Sequence, residues 1–131
     1  MKIKKLIPIL LSSFLLTSCA PEHRSKEDIT YRSITMDEAI KIMEKESDYV
    51  ILDVRTPEEF SEGHIPGAIN VPNEDIGTAD IPELPDKSRM ILVYCRSGRR
   101  SKEAAEKLCA LGYTNIIEFG GIIDWKYEIV K

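Results

Sequence analysis

The chain predicts an α/β fold, a single domain with a mainly parallel five-stranded sheet flanked by helices on both faces. Two observations carry this expectation. The runs Tyr49-Val50-Ile51-Leu52-Asp53-Val54 and Met90-Ile91-Leu92-Val93-Tyr94 are almost continuously apolar, as strands covered on both sides are. Segments of helical periodicity alternate with them, the arrangement that joins parallel strands by crossover helices. With 131 residues and 43% hydrophobic content, the chain can build one core.

The elements follow in order. A short strand is expected at Tyr31–Ile34. Thr35 and Glu38 then form a capping box, and Met36, Ala39, Ile40 and Met43 recur at helical spacing. After the strand at 49–54, Thr56 to Ser61 reads as a short helix with Pro57 at its first position. Gly63-His64-Ile65-Pro66-Gly67-Ala68 is a turn leading to a brief strand at Ile69–Val71. Pro72, Gly77, Pro82 and Pro85 make 72–88 a loop with one helical turn at most. The strand 90–94 is followed by a helix from about Arg99 to Leu111, closed by Gly112. Asn115–Phe119 is the last strand. Gly121–Tyr127 is expected as a final helix, with Trp125 in the core.

Residues 1–18 lie outside this domain. Lys2, Lys4 and Lys5 precede an apolar stretch, Leu6 to Leu16, too short for an ordinary membrane-spanning helix, and small residues follow. This is an export signal. Its ending, Leu16-Thr17-Ser18-Cys19, resembles a bacterial lipoprotein signal. That resemblance implies a signal peptide over 1–18 and a lipid anchor on Cys19. It also implies a place in the cell envelope, at the outer membrane and periplasm or on a Gram-positive surface. Residues 19–30, polar and aperiodic, then form a lipidated N-terminus and tether, and 31–131 the folded domain.

Without residues 1–18, 15 basic residues face 22 acidic ones, a net charge of −7. Such a body argues against nucleic acid as a partner, because a phosphate backbone demands a basic face. Arg96, Arg99 and Arg100 are a local exception, and they suit one small anion in one pocket. Cys95 and Cys109 are not expected to pair. Helical rise of ~1.5 Å per residue sets them ~15 Å apart, beyond the reach of a disulfide. Cys109, among Ala105, Leu108 and Leu111, reads as a core residue.

The segment that carries chemistry is Cys95-Arg96-Ser97-Gly98-Arg99-Arg100-Ser101. An apolar strand ends on a cysteine, and a helix starts a few residues later. Such a turn aims backbone N–H groups and a helix N-terminus at one point. That setting favours the nucleophilic form of a thiol. Cys95 is therefore the candidate nucleophile, although a lone cysteine at a strand end can also be a small hydrophobe. Asp53-Val54-Arg55 ends the other long strand, where open α/β sheets also place sites.

Four segments resemble the rhodanese domain: Leu52-Asp53-Val54-Arg55; Glu59-Phe60 with Gly63-His64-Ile65-Pro66-Gly67-Ala68-Ile69-Asn70; Cys95 to Ser101; and Gly120-Gly121 with Trp125. The resemblance covers Tyr31 to Tyr127. It implies a sulfurtransferase that takes sulfane sulfur from a small anionic donor such as thiosulfate. The sulfur forms a persulfide on Cys95 and passes to cyanide or a thiol, including a protein thiol. The cradle would be Arg96, Ser97, Gly98, Arg99, Arg100 and Ser101, with no metal and no organic cofactor. Arg100 is the expected charge partner of Cys95, while Arg96 and Arg99 gather the donor. An arginine at 99 is unusual for the family and predicts a preference for doubly charged donors. Asp53, Arg55, Glu59 and His64 are expected to support the structure, with Glu59 as the mate of Arg55 and His64 locking a turn. Tyr94 is expected beside the loop.

Two other readings stay open. A cysteine-dependent phosphatase or arsenate reductase has a related fold, but its Cys-x5-Arg loop is one residue longer than the spacing of Cys95 to Arg100. A persulfide carrier or binding module without turnover would keep the same loop.

Overall fold

A computed structural model of the chain describes residues 30–131. The expected signal peptide, Cys19 and the tether up to residue 29 lie outside the described residues. The elements are β1 (Arg32–Ser33), α1 (Met36–Lys45), β2 (Tyr49–Asp53), α2 (Pro57–Glu62), β3 (Ile69–Asn70), β4 (Met90–Cys95), α3 (Arg99–Ala110) and β5 (Ile116–Gly121). Single 3-10 turns follow β3 at Asn73–Asp75 and β5 at Ile122–Asp124. The five strands form one sheet in the order β1-β5-β4-β2-β3, every pair parallel.

The capping box read from the sequence at the start of α1 is present, and α2 has a second one. Thr35 accepts the Glu38 amide while the Glu38 carboxylate accepts the Thr35 amide, and Thr56 and Glu59 do the same at the start of α2. Each box satisfies amides that a helix cannot bond internally.

Strand alternation sorts the core into two layers. Ile91, Val93 and Cys95 of β4 point to the face where α3 packs through Ala104, Ala105 and Leu108. Leu92 and Tyr94 point to the opposite face, against Met36 and Ala39 of α1. Cys95 thus lies on the face of α3, and the helix begins four residues later. The strand period and the short connection together bring the sulfur to the helix N-terminus.

Four expectations are corrected, the first of them by the same alternation. Tyr94 is not beside the loop: it is fully buried on the α1 face, and its hydroxyl accepts the Ile65 amide at 3.1 Å. Cys109 is half-buried and unpaired. The buried face of α3 runs through Ser101, Ala104, Ala105 and Leu108, spacings of three and four, and Cys109, four residues after Ala105, lies at the margin of that stripe and packs against the core from its edge. The final helix is absent. β5 continues to Gly121, paired with Cys95, and one 3-10 turn ends when the Trp125 amide bonds Ile122. Val130 then bridges His64 in antiparallel fashion through two backbone hydrogen bonds, at 2.8 and 3.0 Å, which holds the segment extended. Trp125 is accordingly half-buried at a rim rather than in the core.

A candidate active site at the end of β4

Cys95 is 1% exposed and sits where β4 gives way to α3. Its Sγ accepts the Gly98 N–H at 3.0 Å. Gly98 is the N-cap of α3 with φ +118°, a left-handed conformation that few residues other than glycine adopt. It offers no side-chain cap, so no side chain of the cap residue occupies the first amides of the helix. On the other side Sγ lies 3.5 Å from Ser101 Oγ, to which the thiol donates.

Gly121 closes the loop from behind. A Cβ at this position would collide with the Arg96 carbonyl group and the Ser97 nitrogen, so only glycine lets β5 approach the loop this closely. The Ile123 amide also donates to the Arg96 carbonyl, at 3.3 Å. The Gly120-Gly121 pair therefore has a steric task directly beneath the cysteine loop.

The three arginines have three different fates. Arg100 makes a two-pronged ion pair with Glu59, at 2.6 and 3.0 Å, and both side chains are mostly covered. This arginine, with burial opposing and the Thr56 amide assisting, holds the Glu59 carboxyl down at about 2. Glu59 in turn raises the Arg100 guanidinium, to which the charge of Cys95 contributes in the same sense. Arg99 is turned onto Glu103 one helical turn along, with its side chain 75% exposed. It does not join the cradle, because the helix start rotates it towards solvent. Arg96 has no ion-pair partner among the described residues and lines a cavity of about 680 Å³ beside the loop.

Glu59 is thus not the mate of Arg55. Asp53 takes that role: its carboxylate accepts Arg55 Nε and Nη2 at 2.7–3.1 Å, and Oδ1 also accepts the Arg55 amide. Two residues of separation at a strand end place this pair before any contact with α2 can compete. Arg55 Nη2 further donates to Gly63 O at 2.8 Å, and the Asn70 amide group bonds the carbonyls of Asp53 and Arg55. His64 stacks on Phe60, ring centroids 3.7 Å apart, and its Nδ1 donates to the Phe60 carbonyl. With its backbone bridged to Val130, this ring fixes a turn.

Two features went unread in the sequence. Ile123, Tyr127 and Ile129, the large hydrophobic side chains most exposed among the described residues, all line the cavity that holds Arg96. Glu118 is the second, a carboxylate only 1% exposed behind the loop. Its signal was present: an acid inside Ile116-Ile117-Glu118-Phe119 must point into one of two apolar layers.

Residues 35–128 match the rhodanese-like domain family. The chain belongs to that family. A thiosulfate sulfurtransferase of Escherichia coli is 40% identical over 80 residues, covering 61% of this chain and 77% of the relative. A thiosulfate:glutathione sulfurtransferase of Saccharomyces cerevisiae is 34% identical over 117 residues, covering 79% and 84%. Among solved structures, an Escherichia coli rhodanese with anions superposes with a TM-score of 0.58 at 37% identity, over 63% of this chain and 98% of that one. A rhodanese-like domain protein of Staphylococcus aureus gives 0.62 at 32%, over 74% and 93%. The rhodanese-like domain is thereby established over the span that the sequence motifs marked.

Proposed function

We propose that this chain is a sulfurtransferase that moves sulfane sulfur from a donor such as thiosulfate to a thiophilic acceptor through a persulfide on Cys95. The observation that carries this reading is the Gly98 N–H directed at Cys95 Sγ from the N-terminus of α3. Sγ attacks the outer sulfur of the donor, the donor S–S bond breaks, and sulfite leaves with the electron pair. The loop amides then face the charge of the new persulfide. Arg96, the arginine of this loop without an ion-pair partner among the described residues, meets the incoming dianion, while Arg100 and Glu59 fix the start of α3 against α2.

The acceptor is an organic thiol that docks on the apolar wall of Ile123, Tyr127 and Ile129. A cavity of about 680 Å³ is far larger than cyanide or thiosulfate requires. Ile123→Ser should raise the KM for a peptide thiol and leave that for cyanide unchanged; equal effects on both would contradict this docking. The sulfurtransferase reading itself is tested by thiocyanate formation from thiosulfate and cyanide. Many turnovers per chain are expected, and a single turnover would leave only the carrier role.

The lipoprotein-like ending of the leader supports attachment of the domain to a membrane through a lipid on Cys19, on the exported side of the envelope. Metabolic labelling with a fatty acid should mark the full chain and not Cys19→Ser. Label on neither would refute the anchor.

A further inference from the structure

Behind the cysteine loop lies a charged group to which the reaction above gives no task. Glu118 is buried among apolar strands, and no lysine or arginine pairs with it among the described residues. It accepts hydrogen bonds from neutral donors alone. Oε1 takes Ser101 Oγ at 2.6 Å and the Gly120 N–H at 2.8 Å, and Oε2 takes Ser33 Oγ at 2.6 Å. A buried anion without a cation is costly, and a glutamine of the same shape could make comparable structural contacts without that cost.

Ser101 connects this carboxylate to the nucleophile. Its hydroxyl has one proton, and the shortest contact commits that proton to Glu118. The oxygen is then free to accept the Cys95 thiol from 3.5 Å. Donor and acceptor follow in one direction: Cys95 Sγ, Ser101 Oγ, Glu118 Oε1. The Gly98 and Gly120 carbonyls, 2.9 and 3.4 Å from Ser101 Oγ, are the other acceptors within reach of this proton, and both are more distant than Glu118.

We infer that Glu118, acting through Ser101, is the proton acceptor for Cys95 when the persulfide is loaded. The inference rests on the sulfurtransferase reading. In this step the S–H bond of Cys95 breaks and its proton bonds to Ser101 Oγ. The proton already on Ser101 passes to Glu118 Oε1, and the electron pair stays on Sγ to attack the outer sulfur of the donor. Nothing is oxidised or reduced within the relay. The buried trio carries one negative charge before and after, so the charge moves to the sulfur without a second ion being buried. When the acceptor thiol takes the sulfur, Sγ leaves with the electron pair and the relay can run backwards to return the proton. Other titratable or charged groups near this path are Arg100, bonded to Glu59, and Tyr31, whose phenol is pushed up first by burial and then by Glu106 and Glu118.

The test is single-turnover loading of the full chain with thiosulfate, followed across pH for wild type, Glu118→Gln and Ser101→Ala. Loading by Glu118→Gln should be roughly 100-fold slower at neutral pH, the usual size of general-base assistance. It should recover towards the wild-type rate in alkali, where hydroxide can remove the proton. Ser101→Ala should behave alike, and the double variant should be no slower than either, because both interrupt one path. A Glu118→Gln rate within twofold of wild type at every pH would overturn the relay. So would slowing by the same factor at all pH values, which is the mark of a merely structural role. If Glu118→Gln does not fold, the wild type decides: loading in mixed light and heavy water should depend on two protons, and no dependence refutes the relay. Absence of any persulfide in wild type would instead refute the sulfurtransferase reading itself.

Discussion

Two neighbouring strands of the sheet, β2 and β4, both end in charged residues, and only one end is a site. At the end of β2, Asp53 and Arg55 bind each other, Gly63 and the Asn70 side chain, and both are buried. At the end of β4, the Gly98 amide points at a sulfur, and Arg96, without an ion-pair partner among the described residues, stands at the edge of a cavity that the fully engaged Arg55 also lines. Charge density alone does not distinguish them. What does is hydrogen-bonding capacity that the fold leaves available for a ligand.

Mutations can break or sharpen this contrast. The largest effect on activity is expected from Cys95→Ser, which should reduce thiocyanate formation to background while the domain stays folded by circular dichroism. Gly121→Ala comes next, because the new methyl group must displace the backbone of Arg96. A loss of more than 4 kcal/mol, or failure to fold, is expected in denaturant titration, about the upper limit for single substitutions. Asp53→Ala should act on the other strand end. It leaves the buried Arg55 unpaired and should cost about 3–5 kcal/mol of stability, while molecules that remain folded turn over near the normal rate.

Glu59 gives a smaller, pH-dependent effect. Its carboxyl is held at about 2 in the folded chain against an ordinary 4.5. The Glu59–Arg100 pair therefore adds stability that is complete above about pH 4.5 and is lost as pH falls through 2. Thermal unfolding of Glu59→Gln should show a flatter acid dependence over that window than wild type, with the pair worth about 1 kcal/mol at neutral pH given its partial exposure. The smallest change is expected from Arg99→Asn. This side chain is exposed and paired with Glu103, so stability should shift by less than about 0.5 kcal/mol. The KM for thiosulfate should hardly move; a large rise would restore Arg99 to the cradle.

That last point marks what the sequence could and could not disclose. The five-stranded parallel sheet, the capping box of α1 and the placement of Cys95 were legible because each is written in local pattern: apolar runs, Thr-x-x-Glu spacing, a cysteine ahead of a glycine N-cap. The partners of the arginines were not. Glu59 and Arg100 are 41 residues apart and meet only because α2 lies near the start of α3. Arg99 and Arg100 look alike in a string of letters, yet one helical step sends one to solvent and the other to Glu59. The C-terminal segment misled for a similar reason. Its residues suit a short helix, but the bridge between Val130 and His64 draws it extended and turns Ile123, Tyr127 and Ile129 outward. Glu118 was visible as an acid in an apolar strand. Its link to Cys95 required knowing that β5 and α3 share one layer.

Intact-mass and peptide mass spectrometry of the full chain after incubation with thiosulfate tests the central claim most directly. The account predicts one added sulfur atom, located on Cys95, removed by cyanide and absent from Cys95→Ser. No added sulfur, or sulfur carried on Cys109, would contradict it.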